Sequence, residues 1–380
     1  MLLMISSARA IERRFGLDAG AGVFGKLREV EEQLSTGPAS ARLLFPDDRD
    51  SMAQLGLLPV GLRSWASVSA ALQRIVDQLK PDAILILGGD GIIPFCRLGN
   101  PIQDRLCDPD TEVPSDNPYG FGLAAKSSTD ADEFLRPPVP VGRIPDPEPP
   151  DAAVFLQCLT NFSRPRPQGR SGIFAVVDPA WEDSAWKVLA SSAKISAENG
   201  SPAYSSDLIA TMRSGPPWSA RDPEWSRVDA ALLYFNLHGR DDAPTWRGFQ
   251  GTTGRWVDVL SPSQVLPSQA DGAVVVAENC YGAVVDGRSI TQSMALAFLN
   301  SGARAFVGAT GLAWGSYLPA GYANLKGADQ FTSTLVGQLL AGETVGKALK
   351  EARKSLSADN NAQVKTLLQF VLYGNPEARL

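Results

Sequence analysis

Short, continuously apolar runs alternating with amphipathic stretches constrain this chain more than any other feature of its sequence. Ala83-Ile84-Leu85-Ile86-Leu87 is the cleanest, and Leu2 to Ile5, Ala41 to Phe45, Ile173 to Val177, Ala230 to Asn236, Ala273 to Ala277 and Arg304 to Val307 repeat the form. Runs of this length with no polar alternation fit strands buried on both faces, as in the middle of a parallel sheet. Between them, Val23 to Leu34 and Ser64 to Leu79 carry helical stripes, the second through Val68, Leu72, Ile75, Val76 and Leu79. Further helices are expected from Asp151 to about Phe162, near Trp181 to Asn199, and over Ser289 to Leu299, Gln330 to Leu340 and Val345 to Ser355. Helices that separate parallel strands must cross over the sheet, so the pattern predicts an α/β fold with helices on both faces, a three-layer α/β/α sandwich.

At 380 residues the chain is long for one compact unit, which predicts two side-by-side subdomains. Ser163 to Gly172, with Arg164-Pro165-Arg166-Pro167 in it, has no apolar residue and is the expected linker. It divides an N-terminal subdomain, 1–162, from a C-terminal one, 173–380. Cys96 to Leu135 is rich in Pro, Asp, Gly and Ser and reads as a long irregular loop bordering a site. Gly88-Gly89-Asp90-Gly91 lacks the GxxxxGK[ST] spacing and meets Pro94 where a phosphate-binding helix would open, so it reads as a tight turn.

A net charge of −6 and a pI near 5.1, with no dense Lys/Arg block, give no footprint for a nucleic-acid backbone. No apolar stretch approaches the roughly 18 residues of a membrane-spanning helix. The order of the first residues, apolar Met1 to Ile5 and then Arg9, Arg13 and Arg14, is the reverse of a secretory signal, so a cytoplasmic protein is expected. The four cysteines, Cys96, Cys107, Cys158 and Cys280, lack CxxC spacing, and with one histidine they make no zinc site.

That histidine is His238, in Leu233-Tyr234-Phe235-Asn236-Leu237-His238-Gly239, where an apolar run stops. A second run, Gly272 to Asn279, delivers Cys280, followed by Tyr281 and Gly282. Sites in open α/β sheets gather at the carboxyl ends of strands, so the two residues are expected to converge. A thiol needs a base to make it a good nucleophile, and an imidazole can take its proton and return it to a leaving amine. The backbone N–H groups of Gly239 and of Cys280 itself are candidate oxyanion donors.

The strand ending in His238-Gly239, followed by Asn279-Cys280-Tyr281-Gly282-Ala283, resembles the caspase-like cysteine peptidases, and most closely their gingipain-type branch. Ile84 to Asp90 with Ile93-Pro94, then Ser115 to Tyr119, then Val141-Gly142-Arg143-Ile144-Pro145, are similar in order to that branch's first subdomain. Gly302 to Gly311 and Tyr373-Gly374-Asn375-Pro376 resemble its second. The resemblance implies a caspase-like fold and an endopeptidase with Cys280 as nucleophile and His238 as general acid/base, acting on protein or peptide substrates after a basic residue, arginine ahead of lysine. It places the acid of the first specificity pocket shortly after Val-Gly-Arg, with Asp146, Glu148 and Asp151 as candidates, and makes Trp314 the pocket's aromatic wall. Asp241 and Asp242 can equally bind a basic side chain or simply be solvated.

Pro137-Pro138-Val139 stand where the branch carries the acid that orients its histidine. Asp130, Asp132 or Glu133 could substitute, but a backbone carbonyl is the favoured expectation. Cleavage after arginine would make Arg164, Arg166 and Arg170 exposed sites for self-processing or for an upstream activating protease. The chemistry requires no cofactor, while a structural calcium ion is compatible with it. Control by limited proteolysis or an inhibitory partner, in a bacterial signalling or defence cascade, is the expected setting. The alternatives are a catalytically silent binding or scaffold module and a thiol amidase or transpeptidase.

Overall fold

A computed structural model describes residues 1–35, 40–62, 64–122, 131–164, 169–198, 211–316 and 325–380. In chain order the elements open with β1 (Leu2–Ile5), α1 (Ala8–Ser35), β2 (Ala41–Leu44), α2 (Arg49–Ala53), α3 (Trp65–Leu79), β3 (Ala83–Leu87), β4 (Cys96–Gly99), β5 (Glu112–Ser115), β6 (Val141–Ile144) and α4 (Ala152–Ser163). They continue through β7 (Ile173–Val177), α5 (Glu182–Glu198), β8 (Thr211–Ser214), β9 (Leu232–Asn236), β10 (Trp246–Gln250), β11 (Arg255–Leu260), α6 (Pro267–Ala270) and β12 (Val274–Ala277). The last are α7 (Met294–Asn300), β13 (Ala305–Ala309), α8 (Gly327–Leu340), α9 (Val345–Ser355), α10 (Asn361–Gln369) and β14 (Phe370–Gly374).

Among the described residues the buried apolar runs form one ten-stranded sheet in the order β2-β1-β3-β6-β14-β13-β12-β9-β7-β8. It is mainly parallel, as expected, with β14 antiparallel to β13. The sheet continues across the segment 163–172, because the last strand of the chain, β14, pairs with β6 on one side and β13 on the other. Strand alternation divides the core into two layers. On β7, Phe174 and Val176 join a cluster with residues of α1, α4 and α7, while Ile173, Ala175 and Val177 join a second cluster with α5, α8, α9 and α10. The result is the expected α/β/α sandwich.

Local chemistry explains the helix ends. Ser64 caps α3 through a reciprocal capping box with Ser67, and the helix stops at Lys80 in a left-handed conformation with φ of 47°. The helical stripe began at Val23 in the sequence, but α1 begins at Ala8 and is broken at Gly16, where φ is 79°. Cys96 to Leu135 is less irregular than its composition predicts: β4 and β5 form an antiparallel pair inside it.

Candidate active site

Parallel pairing of β9 with β12, in a register that sets Phe235 opposite Ala277, brings the chain after both strands to one place. His238 and Cys280 line the same cavity, about 280 Å3 in volume. Gly239 meets Cys280 so closely that a Cβ at Gly239 would lie 1.8 Å from the Cys280 carbonyl oxygen, so only glycine fits there. Among the described residues, neither the Gly239 nor the Cys280 N–H is engaged by another main-chain carbonyl. Tyr281, directly after the cysteine, has φ of 54°, a left-handed conformation uncommon for a bulky residue and a mark of a sharp, locally strained turn.

β7 lies beside β9 with Val177 opposite Asn236, so the residue after β7 reaches the histidine. It is Asp178, fully buried, with Oδ2 3.5 Å from His238 Nε2. Its Oδ1 accepts from Ala180 N–H at 2.8 Å and its Oδ2 from Phe249 N–H at 2.6 Å, which fixes the carboxylate. The expectation that a backbone carbonyl would face the ring is therefore corrected: a carboxylate stands there. Nor is it one of the sequence candidates. Asp132 and Glu133 belong to a short turn, Ala131–Phe134, elsewhere in the fold, and Asp130 lies outside the described residues. The sequence did contain the signal, since Asp178 ends an apolar run just as His238 does.

The imidazole is held on its other sides by Trp181, with ring centroids 4.3 Å apart, and edge-on by Trp256, at 4.6 Å. His238 also exchanges main-chain hydrogen bonds of 2.8 and 2.9 Å with Arg247 on β10. Burial lowers the imidazole pKa, and the Asp178 carboxylate only partly offsets that, leaving it below the ordinary value. Burial likewise pushes the Cys280 thiol up, against smaller opposing effects from the Ala313 main chain and Lys365. Both shifts favour the neutral forms, imidazole and thiol, over the ion pair. The Cys280 Sγ lies 3.3 Å from Ala313 N and 3.5 Å from its carbonyl oxygen.

The cavity wall runs from Leu312 to Ser316 and includes Trp314. Two carboxyls also line it, Glu278 and Asp329, 6% and 1% exposed. Glu278 continues the alternation of Val274 and Val276 toward the α8 side, where Asp329 projects. Tyr234 Oη donates to Glu278 Oε2 at 2.7 Å, and Ser316 N–H donates to Asp329. Burial, and then the neighbouring Asp329, push the Glu278 carboxyl well above the usual range. An acid inside an apolar run was the available signal for Glu278. Asp329 and Trp181 carried none.

The wall is braced from the N-terminal half. Fully buried Lys365 bonds Asp108 at 2.5 Å and Asp110 at 2.6 Å. Asp108 accepts from Trp314 Nε1 at 3.1 Å, while Asp110 accepts from Leu312 N at 2.8 Å and Tyr281 Oη at 2.9 Å.

The pocket acids expected after Val-Gly-Arg are corrected by this arrangement. Asp146, Glu148 and Asp151 do not line the cavity, because β6 is three strands from β12, about 14 Å at about 4.8 Å per strand. Asp146 and Glu148 pair with Arg14, and Asp151 caps α4 by accepting from Ala153 and Val154 N–H. Asp242 pairs with Arg240 in solvent, and the Asp241 carbonyl accepts from Arg288. In the linker, Arg164 is exposed, whereas Arg170 is not: it bonds the carbonyls of Gln269 and Ser268 and pairs with Asp229. Arg166 lies outside the described residues. Among the described residues no cluster of three or more His, Cys, Asp or Glu could hold a metal ion, and no helix is long and apolar enough to cross a membrane.

No family model matches the chain, and no curated protein matches it. Among solved structures it is similar to one described as a structure of a protease, over 100% of its own length and 78% of the other chain, at 12% identity and a TM-score of 0.56. At that identity the likeness is one of fold. Two crystal structures of the Saccharomyces cerevisiae separase–securin complex match 64% of this chain and 14% of theirs, at 12% and 13% identity. Their TM-scores, 0.35 and 0.36, are too low to bear on function.

Proposed function

We propose that this chain is a cysteine endopeptidase of the caspase-like kind that cleaves after a basic residue, arginine ahead of lysine. The observation that carries the reading is one cavity lined at once by His238, Cys280 and a pair of buried carboxyls. The whole-length fold likeness to a protease supports it.

Asp178 beside Nε2 favours the tautomer with its proton there, leaving Nδ1 to accept the thiol proton. As Sγ attacks the peptide carbonyl carbon, the C–S bond forms and His238 takes that proton. The oxygen becomes an oxyanion facing the N–H groups of Gly239 and Cys280, donors of a kind worth about 3 kcal/mol each. Collapse breaks the C–N bond, and His238 gives the proton to the departing amine. Water, deprotonated by His238, then attacks the thioester; the acid leaves and Sγ regains its proton. Asp178 acts as a positioning residue throughout, holding the ring and stabilising its cationic form.

Asp329 gives the pocket floor a charged partner for a guanidinium, and Glu278, which burial holds toward its neutral form, adds a second oxygen acceptor beside it, a pairing that suits a planar guanidinium better than an ammonium. They replace Asp146, Glu148 and Asp151 in the specificity role. Arg164 is the exposed candidate for control by limited proteolysis.

The test is a panel of fluorogenic peptides with Arg, Lys, Asp or Asn before the scissile bond, run with wild type, Cys280→Ala and Asp329→Asn. Turnover is expected after Arg, more slowly after Lys, and not at all in Cys280→Ala. Asp329→Asn should lower kcat/KM for Arg by about 100-fold, the scale of one charge-assisted pair. Turnover that survives Cys280→Ala, or a preference for Asp, would overturn the reading.

A further inference from the structure

The antiparallel pair β10–β11 carries two large apolar rings that the mechanism leaves unused. Phe249 and Trp256 sit opposite each other in register with centroids 5.2 Å apart, and they are 37% and 50% exposed. Trp256 touches the imidazole, yet neither ring lines the cavity with the acid floor. The pair is fastened rather than loose, since the His238–Arg247 hydrogen bonds and the Phe249–Asp178 bond tie it to the catalytic strands. Beside the rings, Arg247 pairs with Asp258 at 2.8 Å, so those two charges cancel.

We infer that Phe249 and Trp256 form a subsite for an apolar side chain on the leaving-group side of the scissile bond. The inference rests on the peptidase reading. With the residue before the bond in the acid-floored cavity, His238 must still reach the departing nitrogen to protonate it. The chain beyond that nitrogen therefore passes close to the imidazole outside the cavity, where the ring packed against it is Trp256, with Phe249 behind. The enzyme would thus select a pair of residues, a basic one and then an apolar one.

Two labelled decapeptides, identical except for Leu or Asp directly after arginine, test this by fluorescence anisotropy on Cys280→Ala protein, which cannot turn them over. Leu is expected to bind at least tenfold more tightly than Asp. That ratio should fall below threefold when Phe249→Ser or Trp256→Ser is added. Phe249 makes no ring contact with His238, so its variant decides the matter if Trp256→Ser disturbs the fold. A ratio near one in the parent protein, or one kept in Phe249→Ser, overturns the subsite. Failure of the peptidase reading shows separately, as absence of Cys280-dependent cleavage by wild type while the binding ratio persists.

Discussion

Replacing Asp178 by Asn tests the arrangement of the dyad most directly, because it removes a charge while keeping the shape. With Oδ2 3.5 Å from Nε2, the attraction between carboxylate and imidazolium is about 5 kcal/mol at an effective dielectric constant of about 20. The ring is 33% exposed, so solvent screening reduces this to about 2–3 kcal/mol. In the proposed mechanism the imidazolium exists only while His238 carries the thiol proton, so the loss falls on the transition state, and kcat/KM should drop about 100-fold. The pH profile supplies a second, independent sign. In the proposed mechanism activity requires neutral His238, so it should rise as pH passes through the pKa of the cationic form. Burial holds that value below the ordinary one and Asp178 pulls it partly back. Asp178→Asn should therefore move the acid limb to lower pH while the plateau falls. Steady-state rates from pH 4 to 8 on the best arginine substrate, with circular dichroism to confirm folding, give both readouts. A variant within threefold of wild type, or an acid limb displaced upward, would refute the role of Asp178.

Gly239→Ala puts a methyl group where the Cys280 carbonyl oxygen stands, at 1.8 Å, so the His238–Gly239 loop must move away from the cysteine. A loss of kcat/KM of at least about 100-fold is expected, whereas Gly282→Ala, with 3.1 Å to its nearest atom, should be much milder; equal activity of the two would refute the close packing. Lys365→Met strands Asp108 and Asp110 without their cation and should cost about 3–5 kcal/mol in denaturant unfolding. It should also weaken the cavity wall they hold through Trp314 and Leu312, and a cost under about 1 kcal/mol would mean that the cluster braces nothing.

By itself, the sequence determined the layered α/β architecture and the strand-end positions of His238 and Cys280, the two residues of the proposed dyad. Both follow from local pattern: continuous apolar runs are buried strands, and the residue that ends such a run stands at a sheet edge, as His238 and Cys280 do. The tertiary structure alone decided who their neighbours are. Strand order is a nonlocal property, and it set β7 beside β9 so that Asp178, 60 residues upstream of His238, faces the ring. The same order put β6 three strands from the cysteine, which removed Asp146, Glu148 and Asp151 from the pocket despite their motif-like position. Asp329 reaches the cavity only because α8 packs against the face on which Glu278 alternates. Periodicity records which face a residue takes, whereas the partner across a sheet or beneath a helix is fixed only when the chain closes on itself.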